Sequence, residues 1–265
     1  MSVLLGNGDG TFRNSINSKV LGEPANNTLN KQVYAVDVNH DGKADLIGDW
    51  GVAIGHGDGT FSKPVPFPSS VLPIAQLAVG DINLDGNLDI VTGNFLQGTI
   101  YTFLGDGTGK FSLTHTEKLN YTTPWLQALT LADMNGDHIP DLVYVYSATP
   151  SSGSYDRVVV ELGNGSGTFT FASGVRIDYN GYGYNFLLVD DFNRDGKPDV
   201  MVLTLSSSGK SALLRGTGEG ALSTAQDVSL QLYPGAAIDL NGDGAPDIVG
   251  ANGPGVDRVL NTGAH

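Results

Sequence analysis

The pattern Asp-x-Asn-x-Asp-x-x-x-Asp, closed by an aliphatic residue, occurs five times in this 265-residue chain, beginning at Asp37, Asp81, Asp133, Asp191 and Asp239. Oxygen-bearing side chains at alternate positions suit a hard divalent cation, because Ca²⁺ takes about six to eight oxygen ligands from side chains and main-chain carbonyls. The first loop offers the side chains of Asp37, Asn39, Asp41 and Asp45 and, at position seven, the carbonyl of Lys43. The second offers Asp81, Asn83, Asp85, Asp89 and the carbonyl of Asn87; the third offers Asp133, Asn135, Asp137, Asp141 and the carbonyl of Ile139. Asp191, Asn193, Asp195, Asp199 and the Lys197 carbonyl form the fourth set, and Asp239, Asn241, Asp243, Asp247 and the Ala245 carbonyl the fifth.

Glycine at position six permits the sharp bend such a loop needs. His138 stands there in the third loop, so a residue with a side chain must take the tight conformation, and the third site is expected to be the weakest. Mg²⁺ demands stricter octahedral geometry and holds its waters, which leaves Ca²⁺, up to five ions, as the expected cofactor. An EF-hand differs: these loops close at position nine, lack a glutamate at position twelve and lie between β-runs. Asp/Asn/Gly-rich stretches also make ordinary turns without metal; five copies in register favour the metal reading. Without cations, three carboxylates per loop would repel one another, so metal and fold are expected to be coupled.

The elements that must hold these loops are short strands. Apolar runs precede the loops (77–79, 129–131, 187–189) and follow them (90–91, 142–143, 200–202), as strands A and B of an antiparallel pair. A third run (100–104, 158–160, 212–214) enters a GxGxG turn, and the residue after the turn, Phe111 or Phe169, opens a fourth. These turns, at 6–12, 55–61, 105–111, 163–169 and 216–222, alternate strictly with the acidic loops. Four-stranded units repeated around an axis predict an all-β propeller of about five blades in a single domain spanning residues 1–265. A linear solenoid fits less well, because its coils are shorter.

In an up-and-down blade the A–B and C–D turns share one face, so acidic loops and glycine turns are expected together. The segments 94–98, 147–156, 205–211 and 251–257, where length varies most, fall on the opposite face, where specificity usually resides. The chain begins within a C strand at Ser2–Leu5 and ends after another at 258–261, so either the N-terminal strands complete the last blade or the array continues.

Composition narrows the function classes. Twenty-eight acidic against 14 basic residues give a formal charge of −14, which repels phosphate backbones and anionic lipid and argues against nucleic-acid partners. Five Ca²⁺ ions would bring it to about −4. No cysteine is present, excluding disulfides and thiolate metal sites. No apolar run approaches the roughly 18 residues of a membrane span, and the N-terminus does not read as a signal peptide; if exported, the chain is expected to be a mature domain or fragment.

The combination of Asp-x-Asn-x-Asp-Gly-x-x-Asp loops with Leu-Gly-Asn-Gly-Asp-Gly-Thr-Phe turns resembles the FG-GAP/VCBS-type repeat of integrin α-chain propellers, fungal propeller lectins and bacterial surface proteins. The resemblance covers nearly the whole chain. It implies a calcium-binding propeller, secreted or at the cell surface, serving adhesion or recognition of a carbohydrate or protein. Typical members have six or seven blades.

Little supports catalysis. The GxGxG turns lie between strands without a helix to receive a phosphate, and the five histidines accompany no nucleophile signature, so no catalytic residue is assigned. Trp125, Tyr179, Tyr182 and Tyr184, placed on D–A connections of the variable face, are the candidate contacts for a sugar ring; the plainer role for them is packing between blades. The expected function is an extracellular binding module with structural Ca²⁺ and a glycan or protein ligand opposite the calcium loops. The alternatives are a propeller-based polysaccharide lyase, for which no base is evident beside a loop, and a purely structural domain of a larger surface protein.

Overall fold

The computed structural model describes residues 2–17, 33–71, 74–94, 98–119, 125–148, 155–177, 185–204, 210–230, 233–252 and 255–261. An N-terminal hairpin of β1 (Ser2–Val3) and β2 (Ile16–Asn17) precedes five antiparallel blades. Blade 1 holds β3 (Val33–Val36), β4 (Asp45–Gly48) and β5 (Gly51–Ala53); blade 2 holds β6 (Ile74–Gly80), β7 (Asp89–Asn94), β8 (Thr99–Gly105) and β9 (Phe111–Lys118). Blade 3 comprises β10 (Trp125–Ala132), β11 (Asp141–Ala148), β12 (Tyr155–Gly163) and β13 (Phe169–Ile177), and blade 4 comprises β14 (Asn185–Asp190), β15 (Asp199–Thr204), β16 (Ser211–Leu214) and β17 (Gln226–Val228). Blade 5 has β18 (Tyr233–Ile238), β19 (Asp247–Asn252) and β20 (Gly255–Val259). Neighbouring strands in each sheet are consecutive in the chain, and the first strands β6, β10, β14 and β18 lie against one another in turn. The arrangement is an all-β propeller with no helix among the described residues, and hence none that could cross a membrane.

The expected apolar runs fall where the strands form, and four strands per blade hold in blades 2, 3 and 4. Blade 1 departs for a chemical reason. Its fourth segment reads Lys-Pro-Val-Pro-Phe-Pro from Lys63, and proline has no amide to donate to a ladder. Only Val65, between two prolines, pairs: its N–H and carbonyl exchange hydrogen bonds of 2.8 and 3.0 Å with Val52.

Side chains alternate between the two faces of each blade, so a β-run buries half its residues against the preceding blade and half against the next. Four apolar clusters result, one between each consecutive pair of blades. The cluster between blades 2 and 3 contains Ile82, Leu126 and Tyr144, with Leu104 and Phe169 packed against it. Each fully buried aliphatic side chain in these seams stabilises the fold by about 1.5–3 kcal/mol. Glu161 on β12 is buried as well; it accepts a 2.8 Å hydrogen bond from the Tyr144 hydroxyl and leaves Oε2 with no protein partner. Burial, reinforced by repulsion from Glu117, pushes its pKa up to about 7.

Candidate metal-loop face

Each acidic loop joins the first strand of a blade to the second, and all five take the same conformation. Position one anchors the turn: in the second loop Asp81 accepts the amides of Asp85 (3.1 Å) and Gly86 (2.9 Å), and in the first Asp37 accepts those of Asp41 (3.2 Å) and Gly42 (2.8 Å). Position five then receives the amide of position seven, from Lys43 to Asp41, Asn87 to Asp85, Ile139 to Asp137, Lys197 to Asp195 and Ala245 to Asp243, at 2.8–3.0 Å. In loops two to five the position-three amide nitrogen donates to the position-five carboxylate, as Asn83 does to Asp85 at 3.0 Å. Asn39 accepts the Asp41 amide at 3.1 Å.

Position nine turns inward. Asp45, Asp89, Asp141, Asp199 and Asp247 are fully buried, and each accepts one amide from the end of the third strand: Gly55, Gly105, Gly163, Gly216 and Asn261, at 2.7–2.9 Å. The other oxygen takes the amide of position two, from Val38, Ile82, Met134 or Leu240, in four of the loops. In the fourth, Phe192 donates instead to the carbonyl of Asp190, and Asp199 Oδ2 is buried without a partner. This clamp places acidic loop and glycine turn on one face, as the up-and-down topology predicts.

Two opposite electrostatic environments follow. Burial raises the pKa of Asp89, Asp141 and Asp199 above the usual carboxylate range, against the pull of the donated amides, and the position-one and position-five carboxylates of the same loop push the same way. Three exposed position-five groups go the other way. The position-seven amide, then the position-three asparagine, holds Asp85, Asp137 and Asp243 below that range.

The left-handed conformation expected at position six is present at Gly42, Gly86, Gly196 and Gly244, and His138 adopts it with φ at 65°. Position four is left-handed as well, at His40, Leu84 and Arg194 with φ near 60° and at Gly136 and Gly242. The two glycines at position four were the legible signal for it. Two position-four side chains reach the next blade: His40 Nε2 lies 3.2 Å from Asn87 Oδ1, and Arg194 Nη2 pairs with Asp243 Oδ1 at 2.5 Å. In the glycine turns, Asp9, Asp58 and Asp106 each accept both the amide and the hydroxyl of the threonine two residues on.

The donor set suits a hard cation, since it consists of carboxylate, amide and main-chain oxygens, with one buried carboxylate oxygen unpartnered in the fourth loop. Among the described residues no three or more carboxylate or imidazole groups gather as a ready-made metal cluster. Position nine turns inward, which leaves positions one and five as the accessible carboxylates of each loop.

On the opposite face, Trp125 is exposed and is the first residue of β10, paired with Ser147, so it stands on a strand end instead of a D–A connection. Beside it Gln127, Ser147 and Asp156 form a buried hydrogen-bonded set in which Gln127 Oε1 has no protein partner. Tyr179, Tyr182 and Tyr184 lie outside the described residues, as do 95–97, 149–154, 205–209 and 253–254 of the variable segments.

A sequence model of the FG-GAP-like repeat matches residues 81–144 and 191–250, each match running from an acidic loop into the second strand of the following blade. No curated protein matches the chain.

Proposed function

With the chain an FG-GAP-repeat β-propeller, we propose that it is a calcium-stabilised extracellular binding module, without catalytic activity, whose ligand is a glycan or protein held on the face opposite the acidic loops. The observation that carries the reading is the recurrence of one oxygen-rich loop conformation, clamped by a buried aspartate, in all five blades. The side chains of positions one, three and five and the carbonyl of position seven would hold the ion, with position nine supporting the loop from beneath. A bound cation would supply positive charge to loops that otherwise set like charges close together.

Such coupling makes metal binding a contribution to folding stability, growing as RT ln(1 + [L]/Kd). Isothermal titration of metal-stripped protein with Ca²⁺ is expected to show several sites, and EDTA to lower Tm. Heatless titration together with a Tm indifferent to EDTA would sink the calcium reading. For the ligand, Trp125 beside the buried Gln127–Ser147–Asp156 set favours a sugar ring, which stacks on aromatic faces while its hydroxyls seek polar partners. A glycan array should give hits that Trp125→Ala weakens; hits insensitive to that change move the ligand site elsewhere.

A further inference from the structure

Position two of each acidic loop faces the following blade. Val38, Ile82, Met134 and Phe192 are 3%, 1%, 1% and 7% exposed and belong to the four inter-blade clusters, whereas Leu240, the same position in blade 5, is 45% exposed. The residue packed against this position from the next blade is the one that follows the glycine turn: Phe111 against the Val38 cluster, Phe169 against that of Ile82, Leu222 in that of Met134. Its counterpart in the N-terminal hairpin, Phe12, is 66% exposed.

A second pair of positions repeats the pattern. The last glycine of each turn meets the preceding unit so closely that a Cβ on Gly109 would lie 2.6 Å from Ile54 Cδ1, one on Gly167 3.0 Å from Leu104 Cδ2, and one on Gly220 2.6 Å from Leu162 Cδ2. Blade 1 uses the hairpin in the same way, with Gly59 against Ile16 (2.8 Å), Val3 and Leu5, so the hairpin sits where a preceding blade would. Gly10 in the hairpin itself has nothing within 4 Å of such a Cβ. Leu260, placed just before the Asn261 amide that Asp247 holds, is the blade-5 equivalent of Ile54, Leu104 and Leu162, and it is 42% exposed. Leu240 and Leu260 on blade 5, and Gly10 and Phe12 on the hairpin, are thus matching socket and plug positions that the described blades leave uncovered.

We propose that these two surfaces are a head-to-tail interface between copies of this chain, the Gly10–Phe12 turn of one docking on Leu240 and Leu260 of the next as each blade docks on the one before it. Continuity with three of the internal seams supplies the argument: between blades 1 and 2, 2 and 3, and 3 and 4 the same positions in the same register already bury one another. Such an interface is heterologous, using two different patches, so an open assembly keeps one free patch of each kind at its two ends and can add copies until a ring closes. The proposal does not depend on calcium or on a ligand.

Sedimentation equilibrium across a wide concentration range tests it. The wild type is expected to exceed the mass of one chain as concentration rises, while Phe12→Asp and Leu240→Asp each remain single chains. Mixed in equal amounts, those two variants should form a two-chain species, because each keeps the patch the other lacks. A wild type that stays at one chain's mass, variants that associate as the wild type does, or a mixture that stays monomeric would each overturn the idea. Phe12→Ser, a milder change of the plug, and Leu260→Asp, at the second residue of the socket, repeat the experiment, and circular dichroism with thermal melting establishes that each variant is folded before it is weighed.

Discussion

The carboxylate of Asp89 accepts the amide of Gly105 at 2.8 Å across 16 residues of chain, binding the end of an acidic loop to the start of the glycine turn in the same blade. Its second oxygen holds the amide of Ile82 at 3.0 Å. A single buried side chain thus satisfies two amides that would otherwise face an apolar seam. Asp89→Ala is expected to lower stability by roughly 2–5 kcal/mol, because both amides lose their acceptor in a site water cannot easily reach. Asp199→Ala should cost clearly less, since Asp199 holds only the Gly216 amide and keeps an unpartnered oxygen. Urea unfolding of the two variants, monitored by two probes to check cooperativity, compares them; equal losses would contradict the clamp as described.

His138 carries a side chain at a φ of 65°, where four of the five loops have glycine. Relieving that conformation gains about 1–2 kcal/mol, offset in part by the greater freedom of glycine in the unfolded chain. His138→Gly should therefore stabilise the protein by roughly 0.5–1 kcal/mol. Leu84→Gly, at φ 59° in position four, is the companion test. A lower Tm for both would show that the strain is absorbed elsewhere.

Arg194 already pairs with Asp243, a position-five candidate ligand, so an arriving cation must compete with a guanidinium. On the calcium reading, Arg194→Leu tightens the fifth loop's affinity by roughly two- to five-fold, the range of a partly exposed ion pair. Calorimetric titration of Arg194→Leu, set against the same substitution with Asp239→Ala disabling that loop, isolates the effect. Unchanged affinity would mean that Asp243 takes no part in holding the ion.

Glu161 links stability to pH. Its folded pKa of about 7 lies above the ordinary 4.5, so between those values the native state binds more protons than the unfolded one. Stability from this group is fully present below pH 4.5 and is lost as pH rises through about 7. Between pH 5 and pH 8 the wild type should lose roughly 1–3 kcal/mol relative to Glu161→Gln, which keeps an acceptor for the Tyr144 hydroxyl without the charge. Parallel pH–stability curves for the two proteins would refute the assignment.

Much of this architecture was legible in the residues themselves. Alternation of apolar and polar residues marks strands because side chains alternate across a sheet, and strict alternation of acidic loops with GxGxG turns orders those strands into repeating units. The same logic predicted the bend at His138 and the sharing of one face by loops and turns. It missed the shortened fourth strand of blade 1, although Pro64 and Pro66 carried the signal, and it could not show the amides that position nine meets in the folded blade. Local pattern records what each residue can donate, accept or bury.

Which partner it meets is a matter of tertiary packing. Asp45 and Asp41 are the same residue type in one loop, yet one is buried between two amides and the other exposed, because only the folded blade brings the Gly55 amide beneath the loop. Val38 and Leu240 occupy the same position of the same motif, and their burial differs because a following blade covers the first and leaves the second facing solvent. The sequence by itself determined the repeat, the strand order and the chemistry of the loops, all of which depend on neighbours in the chain. Only the tertiary structure decided which carboxylates are clamps and which seams stay open, because those outcomes depend on groups brought together from distant parts of the chain.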